Sequence, residues 1–269
     1  MAELVDAYDS GSYGVTCGGS NPLESTIPAF ATVLSQGQRF PAHMQDPVFV
    51  QDAFAKIARR YVITNHVLSM GTDILWRRKV AGIIRDLQPA NLLDLATGTG
   101  DLALEISRQC PGLAITGADF SAPMLEYAAR RKVPGLTLIE ADAMHLPFPD
   151  ASYDAVTVAF GLRNMASWPD AIWEMARVTR PGGSLVVLDF SLPASRLLRS
   201  PYRTYLHRVL PRIAGWITGQ HNAYAYLAGS IEQFPSGEAM CDLLKANGFR
   251  SATAIPVSMG IASIYVARR

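Results

Sequence analysis

Leu92-Leu93-Asp94-Leu95-Ala96-Thr97-Gly98-Thr99-Gly100-Asp101 is the stretch that decides the fold. A short apolar run stops at a Gly-x-Gly turn, and a helical pattern starts at once behind it. The stretch therefore reads as a buried strand, a tight turn and a helix N-terminus. Glycines let a ligand approach the backbone closely, and the first turn of a helix offers unpaired N–H groups to an anion. Alone the turn is a weak signal, because dinucleotide-binding folds open the same way. Ala103 stands where their fingerprint has a third glycine, and alanine is tolerated there.

Working outward, strand and helix signals alternate. Asn91–Ala96 is followed by a helix over Asp101–Cys110, then by a strand over Leu113–Asp119. A helix over Pro123–Arg131 follows, with Ser121 as its N-cap, then strands over Leu136–Glu140 and Ala155–Phe160. Trp168–Val178 is helical, and Leu185–Phe190 is a fifth strand behind the turn Pro181-Gly182-Gly183. Ala252–Val257 and Ile261–Ala267 flank Ser258-Met259-Gly260 as an antiparallel hairpin. This rhythm predicts an α/β fold: a doubly wound, mostly parallel seven-stranded sheet covered on both faces, closed by that hairpin. Upstream, Phe49 to Tyr61 and Ile74 to Leu87 carry helical periods, the second ended by Pro89. Residues 1–45, rich in Gly, Ser, Pro and Thr, read as a poorly ordered arm or a lid before a single domain over 46–269.

Two carboxylates separate the candidate ligands. Asp119 ends the second strand, where an acid accepts ribose hydroxyls; this excludes a 2′-phosphate but not NAD. Asp142 follows the third strand, where a carboxylate accepts from an adenine amino group and the Ala143 N–H meets a ring nitrogen. Together they favour S-adenosylmethionine. The expected cofactor set is Asp94, Thr97, Gly98, Thr99, Gly100, Asp119, Phe120, Asp142, Ala143 and Ala159.

Composition removes several classes. Charged residues make up 17% and apolar residues 49%, which reads as globular, and a net charge of +1 gives no global pull toward nucleic acid. Cys17, Cys110 and Cys241 are scattered, without metal-ligand spacing or a disulfide framework, so a reducing cytoplasm is the expected setting. Met1–Ser10 is no signal peptide, and no apolar run reaches the ~18 residues of a membrane span. From Phe190 to Ile231 there is no acid but five arginines: Arg196, Arg199, Arg203, Arg208 and Arg212. Tyr202, Leu206, Val209, Ile213, Trp216 and Ile217 share a helical face there, while Pro201 and Pro211 argue against one straight helix. The segment is either a core-packing helix with solvated arginines or a greasy cover over 194–232, touching the inner face of the membrane through 194–217.

The chain resembles the ubiquinone/menaquinone C-methyltransferases, a class I S-adenosylmethionine-dependent family, from about Phe49 to the C-terminus. The resemblance rests on YVITNHVLSMGTDILW (Tyr61–Trp76), LLDLATGTGDLA, ADAMHLPFPDASYD, VAFGLRN (Val158–Asn164), RVTRPGGSLVVLDFS (Arg177–Ser191) and AYLAGSIEQFP (Ala225–Pro235). It implies cofactor contacts at Thr99, Asp119, Asp142 and Ala143, and a substrate-side role for Arg163 and Asn164. The chain departs from the family at Val62, Thr64 and Asp73 (usually a His), at Ala159 (usually a Ser) and at Arg180, Asp189, Asn222, Ala225 and Met259. It is thus expected to be a diverged member.

The expected acceptor is an aromatic small molecule of quinol type, with a prenyl tail and a homodimeric enzyme left open. An aromatic carbon becomes nucleophilic when the neighbouring hydroxyl ionises, so a cation or donor beside that oxygen is needed. Arg163, with Asn164, is the candidate for that catalytic role, acting as a charge rather than as a base. The plainer reading has Arg163 tying its loop to a carboxylate such as Asp94. His145, His207 and His221 read as loop or segment histidines before they read as bases. No metal is expected. Two other functions stay open: methylation of a small aromatic or polyketide-like metabolite, and a cofactor-binding scaffold or pericyclic catalyst that transfers no methyl.

Overall fold

Leu92, Leu93 and Leu95 are all buried in β1 (Asn91–Leu95), although neighbouring residues on a strand face opposite sides. A strand covered on both faces must lie inside a sheet with helices above and below. The computed structural model, which describes residues 69, 71–193, 195–209 and 229–269, has that architecture. Residues 1–45, the helix expected before Tyr61, Val62, Thr64, Arg212, His221, Asn222, Ala225 and most of the 194–232 cover lie outside the described residues.

The chain enters through α1 (Asp73–Leu87), whose C-terminus is closed by Gln88 in the left-handed region, one residue before Pro89. After β1 come α2 (Asp101–Gln109), β2 (Ala114–Asp119), α3 (Ala122–Arg130), β3 (Leu136–Glu140) and β4 (Tyr153–Ala159). They are followed by α4 (Trp168–Val178), β5 (Thr179–Phe190), α5 (Arg196–Thr204), α6 (Glu238–Ala246), β6 (Ser251–Val257) and β7 (Ala262–Arg268). The seven strands lie in the order β3-β2-β1-β4-β5-β7-β6. Neighbours from β3 to β5 are parallel, whereas β7 runs antiparallel to both β5 and β6. The winding reverses between β1 and β4, and open sheets bind ligands beyond the carboxyl ends of strands at that reversal.

Leu92 packs with Trp76, Val80 and Ile84 of α1 and with Leu102 and Ile106 of α2. Leu93 and Leu95 pack on the other side with Ile172 and Met175 of α4 and with Met240 and Leu244 of α6. Each such leucine or isoleucine contributes roughly 1.5–3 kcal/mol by leaving water.

Two local expectations are corrected, and the N-cap expected at Ser121 is found without its usual side-chain bond. The Pro181-Gly182-Gly183 turn does not precede β5 but bulges out of it: Tyr153 pairs with Thr179 and Ala155 with Ser184, so β4 and β5 are out of step there. Ser121 occupies the N-cap position of α3, yet its hydroxyl makes no capping bond. The first-turn N–H of Met124 is met by the Ser121 carbonyl at 2.9 Å instead, and the Ser121 N–H donates to the Asp119 carboxylate at 2.9 Å. Within the expected greasy face of the basic segment, Tyr202 and Leu206 pack on the core, whereas Val209 is exposed. Helix α6 was not anticipated from the sequence.

Candidate active site

Beyond the carboxyl ends of β1 and β4 lies an open-mouthed cavity with ≈ 450 Å³ of empty space, lined by Asp94, Thr97, Gly98, Thr99, Ala159, Phe160 and others. The glycine turn forms its floor. Gly98 and Gly100 both hold positive φ, and Gly100, at φ 76°, is the N-cap of α2. A side chain at Gly100 would be strained and would crowd the Cβ of Ala128 at 3.3 Å.

Asp94 stands at the centre, fully buried, accepting from the hydroxyls of Thr97 (2.6 Å) and Thr157 (2.7 Å). Burial pushes its pKa up to about 6 against the pull of those two hydroxyls and of Arg77. Asp119 fastens the turn to β2: one carboxylate oxygen accepts the Gly98 N–H at 2.8 Å and the other the Ser121 N–H at 2.9 Å. Burial raises its pKa too, opposed by the backbone donors Ser121, Gly98 and Phe120. A carboxylate has about four acceptor sites, so beside these three donors about one remains for a ribose hydroxyl. Thr99 donates to Asp101 at 2.7 Å, and Arg131 bridges to Asp101 at 2.7 Å, which pins the start of α2.

The residues expected from the sequence to meet an adenine, Asp142 and Ala143, lie outside the cavity lining. Asp142 caps its own turn by accepting the Met144 N–H at 3.0 Å, and its carboxylate is half exposed. Ala143 packs at the rim of the core and Phe120 is half-buried beside Asp119. His145 is exposed, 3.4 Å from Asp142.

Arg163 is not beside open space. Its side chain is 1% exposed and its Nη1 bonds Asp189 at 2.6 Å and the Phe160 carbonyl at 2.9 Å. The guanidinium expected at a developing phenolate is therefore turned inward, and the carboxylate it ties is Asp189 rather than Asp94. Asn164 donates to the same Phe160 carbonyl at 3.2 Å. Phe160 needs holding: its φ of 59° is a left-handed conformation that a bulky residue adopts only when its surroundings impose it. The Leu188 carbonyl accepts its N–H at 2.7 Å, and its ring packs against Phe190 at 4.9 Å and Trp76 at 6.3 Å. The Phe160–Asn164 segment is thus a clasp that fixes the cavity wall at Ala159 and Phe160.

Sequence reasoning missed Arg77. It lies on α1, lines the cavity, and holds its guanidinium 5.3 Å from the centre of the Phe160 ring. Arginine in a helix of alternating apolar and basic residues reads as solvent-facing, and only its i,i+4 spacing from Asp73 hinted otherwise.

Comparison with known proteins points to one methyltransferase family. The model of the ubiE/COQ5 methyltransferase family matches residues 42–269. A demethylmenaquinone methyltransferase of Thermus thermophilus is 45% identical over 219 residues, covering 80% of this chain and 99% of that one. A ubiquinone/menaquinone biosynthesis C-methyltransferase of Geobacter sulfurreducens is 43% identical over 227 residues, covering 82% and 88%. Among solved structures, a SAM-dependent methyltransferase of Thermotoga maritima superposes with a TM-score of 0.58 at 17% identity, over 81% of this chain and 99% of that one. That last likeness speaks for the fold alone.

Proposed function

This chain belongs to the ubiE/COQ5 methyltransferase family, and we propose that it methylates a ring carbon of a demethylmenaquinol-type quinol. It is an S-adenosylmethionine-dependent methyltransferase. The observation that carries the reading is the cavity at the reversal of the sheet, with the glycine turn as floor, the buried acid Asp94 in its lining and a second buried acid, Asp119, bonded to the turn at Gly98. The donor set suits the cofactor: Asp119 keeps an acceptor site for a ribose hydroxyl, Asp142 and the Ala143 N–H suit an adenine edge, and Asp94 suits an ammonium group.

The bound cofactor supplies an electrophilic methyl on a sulfonium. The chain's own work is to orient the two partners and keep water away. Thr97 and Thr157 hold Asp94 in place, and Gly98 and Gly100 let the backbone close around the ligand. Arg163 and Asn164, clamped between Asp189 and the Phe160 carbonyl, act as positioning residues for the wall at Ala159 past which the acceptor ring approaches. The departure from the family at Asp73 lies against Arg77, on the cofactor side of the cavity, and gives no ground for a different acceptor.

Incubation with labelled S-adenosylmethionine and a panel of demethylquinols and small phenols tests the proposal. Label on a ring carbon of the demethylmenaquinol is the expected product. Transfer only to small phenols, or to a hydroxyl oxygen, would overturn the acceptor; cofactor binding with no transfer to any would point to a scaffold.

The same reading extends to a prenylated acceptor drawn from a lipid surface. Arg196 and Leu197, the latter 86% exposed, stand on α5, and among the described residues no helix is long and apolar enough to cross a membrane. Peripheral contact through α5 predicts flotation with anionic vesicles that an Arg196→Glu/Leu197→Ser variant loses. Equal flotation of both proteins would return α5 to a purely packing role.

A further inference from the structure

We infer that Arg77 binds the carboxylate at the amino-acid end of the cofactor, and that Asp73 is the positioning residue that aims it there. The inference rests on the cofactor reading above and deepens it. Among the described residues lining the cavity, Arg77 is the sole cation, and Asp94 and Asp101 are the acids. The amino-acid end of S-adenosylmethionine carries an ammonium and a carboxylate on one carbon. The ammonium calls for an acceptor and the carboxylate for a donor, and a guanidinium presents two parallel N–H groups that fit a carboxylate.

The placement of Arg77 is built rather than incidental. Asp73 lies one helical turn earlier on the same face of α1, its side chain wholly buried, and its carboxylate bonds Arg77 through Nη1. The Ser69 hydroxyl donates to the other Asp73 oxygen at 2.7 Å, which fixes the carboxylate in turn. On its far side the guanidinium rests over the Phe160 ring. One arm of the fork is thereby occupied, and the other carries no hydrogen bond to a described residue. The attraction of Arg77 also lowers the pKa of Asp94 against burial, so the two groups sense each other across the cavity.

Calorimetric titration of the full chain with S-adenosylhomocysteine and with 5′-methylthioadenosine separates this role from a structural one. The second ligand keeps the nucleoside and the sulfur but lacks the amino acid. Arg77→Met is expected to weaken S-adenosylhomocysteine by about 10- to 100-fold, the worth of a charge-assisted pair, and to leave methylthioadenosine within about twofold. Arg77→Lys, which keeps the charge and the pair with Asp73 but not the fork, is expected to fall between. Asp73→Asn is expected to weaken S-adenosylhomocysteine several-fold, again without touching methylthioadenosine. Parallel losses for both ligands, or no loss for either in Arg77→Lys and Asp73→Asn, would overturn the assignment. Failure of the unmutated protein to bind S-adenosylhomocysteine would instead strike the cofactor reading beneath it.

Discussion

Gly161 has room for a hydrogen and nothing larger: a Cβ there would lie 2.5 Å from the Cβ of Ala96. The two residues face each other from the ends of β4 and β1, so the contact sets how closely the cavity walls approach. Ala96 is itself held at φ 52°, where glycine is the easier residue. Gly161→Ala should therefore cost about 1–3 kcal/mol of stability through overpacking and weaken S-adenosylhomocysteine. Ala96→Gly should restore most of both in the double variant. Urea unfolding of the two single variants and the double one measures the coupling, and additive effects would show that the walls are not in contact. At this scale the sequence was partly legible. The glycine turn, Asp94 and Asp119 carry their chemistry in a local pattern, and the structure gathers them. The partner of Arg163 did not, because Asp189 is 26 residues away and meets it only through strand order. Arg77 was hidden for a similar reason: nothing local marks which side of α1 meets a ligand.

Among the elements, strands were read well because each buried run is bounded by glycine, proline or an acid. Helix α6 was missed although Met240, Cys241 and Leu244 all face the core; unlike α2 and α3, of the same nine-residue length, it does not directly follow a strand of the alternating pattern. The bulge at Pro181–Gly183 depends on pairing with β4, which no local signal records. The basic segment holds a further element-scale device. Glu232 accepts from Arg203 at 2.7 Å and lies 3.1 Å from His207, so one acid fastens both α5 and the irregular turn behind it (Tyr205–Val209). Burial works against ionised Glu232, but the bonds from Arg203 and His207 outweigh it and lower its pKa. Glu232→Gln should change global stability by no more than about 1 kcal/mol, since Arg203 and His207 are half exposed. It should nevertheless speed amide hydrogen exchange across 196–209 at pH 7 while leaving β1 and β4 protected. Unchanged exchange would mean that packing of Tyr202 and Leu206 alone holds the segment.

For the molecule as a whole, the cavity carries a stability cost that depends on pH. The folded-state pKa of Asp94 is raised from 3.8 to about 6, so the folded protein holds a proton that the unfolded chain has released. That contribution is fully present below about pH 3.8 and is lost as pH rises through about 6. A rise from 3.8 to about 6 corresponds to roughly 3 kcal/mol. An Asp94→Asn variant lacks the titration. Its stability relative to the unmutated protein, without ligand, should rise by about that amount between pH 4 and pH 7, while its cofactor affinity falls. Urea unfolding at the two pH values is the measurement, and a pH-independent difference would place the raised acid elsewhere. One further property concerns the order in which the chain is made. Strand β7 follows β6 in sequence yet lies between β6 and β5, and Arg269 closes the bulge of β5 by exchanging backbone bonds with Gly182 and Gly183. While a ribosome is still adding residues 251–269, β5 has one bare edge and β6 has no neighbour to join. Such an edge invites pairing with other chains. The helices and first five strands can assemble during synthesis, but β7 must then be threaded between two earlier strands, so a nascent chain that still lacks β7 is left sticky rather than merely shorter.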